Sequence, residues 1–409
     1  MNVLLVSSKY MPEYSGSGFR AHNLYKRLCD KCAFLNVTVL AGSITENDCS
    51  EYEYDGFHVT RIASKLFRRT SDFSILRRIQ NSVNFNREFN LTLRAIRRMA
   101  ATERIDLIHI FGQNNVTAAA LHYANEKRIP VLLELCNEMD TPDHYIPFPF
   151  KYWISGKCKH VFLFVCISEM LKNVCLKNNI PEKHIWCRPN PIDESTFKPV
   201  SYEKKHALRK HHTKYGVKDI LLLYIAKFRP SKNHIFLLDA LARLPQQYKL
   251  IIGGPLVESG PETKKSAELL TKLSKVLIDR NLDRRALILK GFIRNIQDYY
   301  QLSDVYVFPT LQEALGTPML EAIACGLPVV ANTITGVTDA WIKNGENGYT
   351  TEMNSQKFAE TVEKAVAISR RKMLSESKKI ISVAGTKTID TQYIEIIEEL
   401  TGKSIAAKS

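Results

Sequence analysis

The segment from Phe308 to Asn332 constrains the fold more than any other part of the chain, because it reads as one complete strand–helix–strand unit. Val305–Phe308 is a strand candidate, Gly316-Thr317-Pro318 is a helix start, and Leu327–Ala331 is a second buried strand candidate. Thr317 suits the N-cap, and Pro318 suits the first helical turn, where its missing N–H costs nothing. Gly326 suits the C-terminal stop. Glu313 and Glu321 flank the helix start with seven residues between them. Unpaired amides at a helix start favour an anion, so this layout suits a phosphate between two groups that each bind hydroxyls. Ribose, diphosphate and sugar stand in that order in a nucleotide diphosphate sugar. Two glutamates at this spacing, taken alone, are equally explained by a capped helix with acidic surface positions.

The same alternation runs through the chain. Val3–Ser7, Asn36–Ala41, Phe57–Ile62, Asp106–Ile110, Val131–Leu135, Val161–Cys166 and His184–Cys187 read as short buried strands with helical stretches between most of them. Ile220–Ala226, Tyr248–Ile252 and Ala286–Lys290 continue the pattern in the second half. Alternation of this kind predicts an α/β protein with doubly wound parallel sheets. A length of 409 residues suits two such domains with separate cores. The prolines of Arg188-Pro189-Asn190-Pro191 suit a connector. The expected division is a first domain over 1–195, a second over 196–385, and a terminal helix and tail over 386–409, with Lys403 to Ser409 frayed.

Charge and cysteine usage narrow the partners. The formal net charge is +15, which favours phosphorylated substrates or anionic lipid. The excess is concentrated between Arg61 and Arg104, where Arg68, Arg69, Arg77, Arg78, Arg87, Arg94, Arg97 and Arg98 face only Asp72, Glu88 and Glu103. Phe85, Phe89, Leu93 and Ile96 recur there at helical spacing. The region is therefore either a domain helix with a solvated basic face or a surface that rests on anionic membrane. No aromatic stacking pattern accompanies the charge, so nucleic acid is not expected. The nine cysteines lie in apolar segments, as in a reducing compartment, and Cys29 and Cys32 form an isolated pair rather than a metal site. The longest apolar run, Val161 to Ile167, is too short to span a bilayer, and no signal peptide is recognised at the start. A cytoplasmic protein, peripheral to a membrane at most, is expected.

The glutamate block closely resembles the Glu-x7-Glu signature of family 4 retaining glycosyltransferases, which have the GT-B fold. Pro309-Thr310, Gly316-Thr317-Pro318 and Glu321-Ala322-Ile323-Ala324-Cys325-Gly326-Leu327-Pro328-Val329-Val330 carry the match. It is dense from Asp219 to Tyr349 and looser from Met1. The resemblance implies two Rossmann-like domains facing across a cleft, with a nucleotide diphosphate sugar held mainly by the second. Glu313 would contact the donor sugar and Glu321 the ribose, with Leu315, Gly316 and Thr317 at the diphosphate. The loop Lys227-Phe228-Arg229-Pro230-Ser231-Lys232 resembles the family's phosphate-binding loop. Lys232 matches its Lys, whereas Lys227 stands where Arg is usual, so a point charge replaces a bidentate fork and Arg229 is the candidate to compensate. Two cations at this place would stabilise the leaving diphosphate as its charge builds. Ile252-Gly253-Gly254 resembles the turn near the base, with Gly253 as the contact.

In the first half, Gly16-Ser17-Gly18 resembles the glycine-rich loop beside the donor phosphate, with Gly16 and Gly18 as contacts and the loop running from Lys9 to Gly18. His109 ends a strand that matches the family. The commoner His near Cys136 and Asn137 is missing, which leaves Glu134, Asn137 and Glu138 as polar candidates for the acceptor. A satisfied core histidine is the plain alternative for His109. The resemblance implies no protein nucleophile, no cofactor and no metal, the acceptor being a glycan or lipid-linked glycan. A non-catalytic nucleotide-sugar-binding protein is the rival reading. A dinucleotide-binding dehydrogenase lacks its glycine fingerprint.

Overall fold

The computed structural model describes residues 1–13, 15–43, 48–63, 75–135, 163–257 and 263–405, with side chains from 82 onward in the stretch that begins at 75. The chain divides into two compact units, Met1–Arg188 with Ile389–Ser409, and Pro189–Thr388. The first crossing lies before the expected 195/196, and local bonds explain why. Arg188 is still held by Glu134 of the first unit at 2.8 Å, whereas Asn190 donates to Thr317 at 2.9 Å and Ile192 bridges to Gly385 in the second. The return crossing lies inside the helix Thr386–Thr401.

The first unit is built on an eight-stranded sheet in the order β3-β4-β2-β1-β5-β6-β7-β8. Its strands are β1 (Asn2–Ser7), β2 (Asn36–Ser43), β3 (Ser50–Tyr54), β4 (Phe57–Ala63), β5 (Leu107–Phe111), β6 (Val131–Leu135), β7 (Leu163–Cys166) and β8 (Ile185–Cys187). All neighbours run parallel except β3, an antiparallel edge strand whose charged Ser50–Tyr54 sequence gave no apolar signal. Helix α1 (Gly16–Lys31) follows β1, α2 (Ile75–Thr102) precedes β5, and α3 (Asn115–Lys127) follows it. Phe85, Phe89, Leu93 and Ile96 of α2 are all buried, so the apolar seam is spent on the unit's own packing. Arg61 is also buried, beneath the Tyr10 and Met11 carbonyls and against the Tyr52 ring, and does not belong to the basic surface.

The C-terminal helix completes this unit. Ile389, Tyr393, Ile397 and Ile405 enter the same core as Leu5, Leu24 and Val39. Asp390 is enclosed, takes a bidentate fork from Arg27 and accepts from Lys31 at 2.8 Å. The expected fraying begins too early: Lys403 reaches Asp106 at 2.8 Å and Ile405 is buried.

The second unit has a six-stranded, all-parallel sheet in the order β11-β10-β9-β12-β13-β14. The strands are β9 (Ile220–Ile225), β10 (Tyr248–Gly254), β11 (Ala286–Lys290), β12 (Val305–Phe308), β13 (Val329–Asn332) and β14 (Gly348–Thr351). The last was not foreseen, because Gly348-Tyr349-Thr350-Thr351 looks like a turn. It pairs because a Cβ at Gly348 would meet the Val329 carbonyl at 2.0 Å, a closeness only glycine allows. In each unit the strand order reverses beside the first strand, between β1 and β5 and between β9 and β12. Ligands of open α/β sheets gather at the carboxyl ends of the strands at such a reversal.

Candidate active site

Two loops meet at the β9/β12 reversal. The loop after β9 runs through a short 3-10 turn, Pro230–Lys232. The loop after β12 leads into the helix Thr317–Ala324. They are stitched together by the Leu311 amide donating to the Ser231 carbonyl at 2.9 Å. The Tyr224 hydroxyl donates to the Lys232 carbonyl at 2.7 Å, which anchors the turn to β9. The result is an ion pair: Lys232 Nζ lies 2.6 Å from Glu313 Oε2. The other carboxylate oxygen of Glu313 accepts from the Ala314 amide at 3.1 Å. Both side chains are about one-fifth exposed, open enough to be reached and closed enough to strengthen the attraction.

Glu321 sits in a different environment one turn into the helix. Its Oε2 accepts from the Tyr300 hydroxyl at 3.0 Å. Burial pushes its carboxyl up to about 7, and the Tyr300 hydrogen bond opposes that rise. One carboxylate is thus matched to a cation and the other to a neutral phenol. Such a difference lets two identical groups take different chemical parts.

The helix start differs from the expectation in one respect. Gly316, not Thr317, is the N-cap, with φ 80° and ψ 48°, and no side chain caps the end. A residue in that left-handed conformation favours glycine. Thr317 becomes the first helical residue and its Oγ1 accepts from Asn190 instead. Leu315 is buried. Lys227 is exposed and Arg229 partly buried, on the same loop as Lys232. Gly253 is tightly packed where a side chain would stand. A Cβ there would lie 2.5 Å from the Ile293 side chain, whereas at Gly254 it would strike the Ala226 carbonyl at 2.0 Å.

In the first unit the β1/β5 reversal carries a polar rim. Helix α1 begins at Gly16, so Gly16 and Gly18 belong to its first turn and not to a loop. Ser15 caps it by accepting from the Gly18 amide at 3.0 Å. A Cβ at Gly18 would come 2.3 Å from the Lys9 carbonyl, while Gly16 has open space beside it. After β5, Asn114 donates to the Ser8 carbonyl at 2.9 Å and caps α3. Gly112, at φ 78°, lets Ser8 approach. The signal of this Gly112–Asn114 turn in the sequence is a Gly followed by three amides after a strand.

His109 and Glu134 are corrected. Both are wholly enclosed within the first unit and are not acceptor contacts. His109 takes the Tyr25 hydroxyl at 2.8 Å on Nδ1 and faces Glu134 at 3.2 Å through Nε2. Glu134 in turn takes two bonds from Arg188, at 2.8 and 3.0 Å, and one from Tyr393. Burial lowers the His109 pKa, although Glu134 opposes it, and the ring is a core histidine. Asn137 and Glu138 lie outside the described residues. Among the described residues no cluster of His, Cys, Asp or Glu suits a metal ion, and no helix is long and apolar enough to cross a membrane.

Comparison with known proteins agrees with this geometry. Residues 15–196 match the model described as Glycosyltransferase Family 4, and 206–380 match Glycosyl transferases group 1. The chain is 21% identical to the alpha-monoglucosyldiacylglycerol synthase of Acholeplasma laidlawii, with 98% of each chain covered. It is 27% identical to the UDP-Gal:alpha-D-GlcNAc-diphosphoundecaprenol alpha-1,3-galactosyltransferase of Escherichia coli over 46% of this chain and 47% of that one. Among solved structures, Anabaena HepE in complex with UDP superposes with a TM-score of 0.71 at 17% identity, covering 98% of this chain and all of that one. Sucrose-phosphate synthase from Thermosynechococcus elongatus gives 0.73 at 16% identity, over 98% and 99%. With two Rossmann-like units, a paired Lys and Glu at the strand reversal of the second, and both halves matched in order, the chain belongs to the family 4 glycosyltransferases and has the GT-B fold.

Proposed function

We propose that this protein is a retaining, metal-independent glycosyltransferase that moves a hexose from a nucleotide diphosphate sugar to a glycan or lipid-linked glycan. The observation that carries the reading is the Lys232–Glu313 ion pair at the β9/β12 reversal, one loop away from Glu321. Glu321 accepts from the ribose hydroxyls, and Glu313 accepts from hydroxyls of the donor sugar and stabilises positive charge at its anomeric carbon. Lys232, with Lys227 and Arg229, stabilises the departing diphosphate, a task that a metal performs elsewhere. The bond from the anomeric carbon to the phosphate oxygen breaks. A bond to the acceptor oxygen forms on the same face, and the acceptor proton passes to the leaving phosphate. No protein nucleophile takes part.

The relatives support the acceptor class, since one is named as a glycolipid synthase and another as acting on a diphosphoundecaprenol-linked sugar. A thermal-shift screen with nucleotide diphosphate sugars is the first test, because a ligand that binds only the folded state raises the melting temperature. Hydrolysis of the bound donor without acceptor should follow, unchanged by chelator. NMR of the transferred sugar should show the donor's anomeric configuration. Binding with no hydrolysis and no transfer to any lipid-linked glycan would leave the non-catalytic reading. Activity abolished by chelator and restored by a divalent ion would overturn the metal-free mechanism.

A further inference from the structure

Tyr300 lies on the helix Ile296–Leu302, away from the motif that carries the donor site, yet it is the hydrogen-bond partner of Glu321. We propose that Tyr300 is a positioning residue of the donor site: by holding Oε2 of Glu321 it presents Oε1 of the same carboxylate to the ribose hydroxyls of the donor. The inference rests on the donor reading given above.

Three features make Tyr300 a fixed donor rather than a chance contact. Its side chain has no exposed surface, so its hydroxyl has no water to turn to. Its ring stacks on Tyr306 with centroids 5.6 Å apart and planes at 28°, and meets Phe197 edge-on at 5.7 Å. Tyr306 is itself pinned, its hydroxyl donating to the Ile225 carbonyl at the end of β9 at 3.1 Å. The phenol is therefore set by β9, β12 and the segment after the connector, and the carboxylate it holds inherits that placement.

The surroundings of Glu321 make the arrangement readable by pH. The titratable groups against it are Tyr300, Tyr306 from β12 and Cys325 beyond the helix end. Burial raises all three, so each stays protonated and neutral near neutral pH. Lys232, on the loop after β9, is matched by Glu313. Of these described groups, Glu321 is the one that changes charge near neutrality. Its hydrogen bond from Tyr300 favours the ionised form, which is the better acceptor for two hydroxyls.

The experiment is calorimetric donor binding from about pH 6 to about pH 9, with UDP-glucose, UDP-galactose and GDP-mannose as probes, on wild type, Tyr300→Phe and Glu321→Gln. The diphosphate groups of these donors do not gain a proton in this range. Wild type should bind more tightly as pH rises and then level off. Tyr300→Phe, which keeps the ring stack, should bind about tenfold more weakly near neutrality, reach its plateau at higher pH, and close most of the gap there. Glu321→Gln should bind weakly at every pH. A Tyr300→Phe curve that coincides with wild type, or that is displaced equally at all pH, would make Tyr300 a packing residue only and overturn the proposal. Wild type that binds none of the probes would instead overturn the donor reading, and the positioning role with it.

Discussion

Glu313 and Glu321 belong to one short stretch of sequence, and their different surroundings predict different defects. Glu313, held by Lys232, faces the reacting part of the donor in the proposed mechanism. Glu313→Gln should lower turnover by about a hundredfold or more with a smaller change in donor affinity, as for a group that acts mainly in the transition state. Glu321→Ala should chiefly weaken donor binding, by about tenfold. Lys232→Ala should lose activity, whereas Lys227→Arg should keep or raise it by restoring a planar fork at the diphosphate. Steady-state kinetics with donor hydrolysis as the readout separate these outcomes, and wild-type turnover in both glutamate variants would remove the assignment. At this scale the motif itself was legible, because its residues are contiguous in sequence. Tyr300 was not legible as a partner of Glu321, since only the packing of its ring against Tyr306 of β12 in the folded unit brings its hydroxyl to that carboxylate. The exchange of Thr317 for Gly316 as N-cap has a local cause: the chain turns there through a left-handed conformation that a side-chain cap does not adopt.

Among elements, the buried network of Tyr25, His109, Glu134, Arg188 and Tyr393 ties α1, β5, β6, the end of β8 and the C-terminal helix into one unit. It also fixes the first unit's last residue before the crossing. Burial pushes the Glu134 carboxyl up, but the Arg188 charge and the His109 hydrogen bond pull harder, and its pKa ends below the usual carboxylate value. A group whose folded value is depressed stabilises fully above its unfolded value and loses that contribution as pH falls through the folded one. The His109 pKa is depressed as well, so both groups act in the same direction. Unfolding free energy should therefore decline on acidification below about pH 6.5, the unfolded histidine value, and again below the range of free glutamate, near about 4.3. Arg188→Met, which strands a buried carboxylate, should cost about 3–5 kcal/mol in urea unfolding, and adding Glu134→Gln should recover part of that loss. A near-neutral Arg188→Met would show that the network contributes little. Most strands were legible from apolar runs bounded by turn residues. β3 and β14 were not, because an edge strand with one charged face and a strand opened by glycine carry no such run. His109 and Glu134 looked like site residues for a related reason: a polar residue near the end of a strand reads the same whether it faces a ligand or a buried arginine.

For the whole molecule, the net charge of +15 asks what anionic surface it meets. The basic stretch around α2 has two readings, a solvated face of the domain or a surface that rests on anionic membrane. Phe85, Phe89, Leu93 and Ile96 are turned into the first unit, so among the described side chains of α2 this apolar seam is not offered to lipid and Val83 alone of its large apolar residues is exposed. Its outward side carries Arg87, Arg94, Arg97 and Arg98, all exposed. Arg97 approaches Glu126 at 3.5 Å and Arg98 pairs with Glu51, but exposed pairs of this kind hold a charge in place weakly and leave it able to re-pair. Attachment by such a face is electrostatic alone, at about 1 kcal/mol for each basic group near an anionic surface. It should be reversible and fade as salt shortens the Debye length to about 3 Å at 1 M. The expected result is co-sedimentation with vesicles containing phosphatidylglycerol, little with pure phosphatidylcholine, and release by high salt. Arg94→Gln, Arg97→Gln and Arg98→Gln together should weaken the binding by about a hundredfold, since three contributions of this size are removed while ordinary polar side chains keep the fold. Donor hydrolysis by the triple variant should match wild type, because these residues lie on a different unit from Glu313 and Lys232. Equal binding to neutral and anionic vesicles would point to an apolar contact elsewhere. Absence of binding to either would make the arginine face a solvated side of the first unit and remove the electrostatic argument for a lipid-linked acceptor.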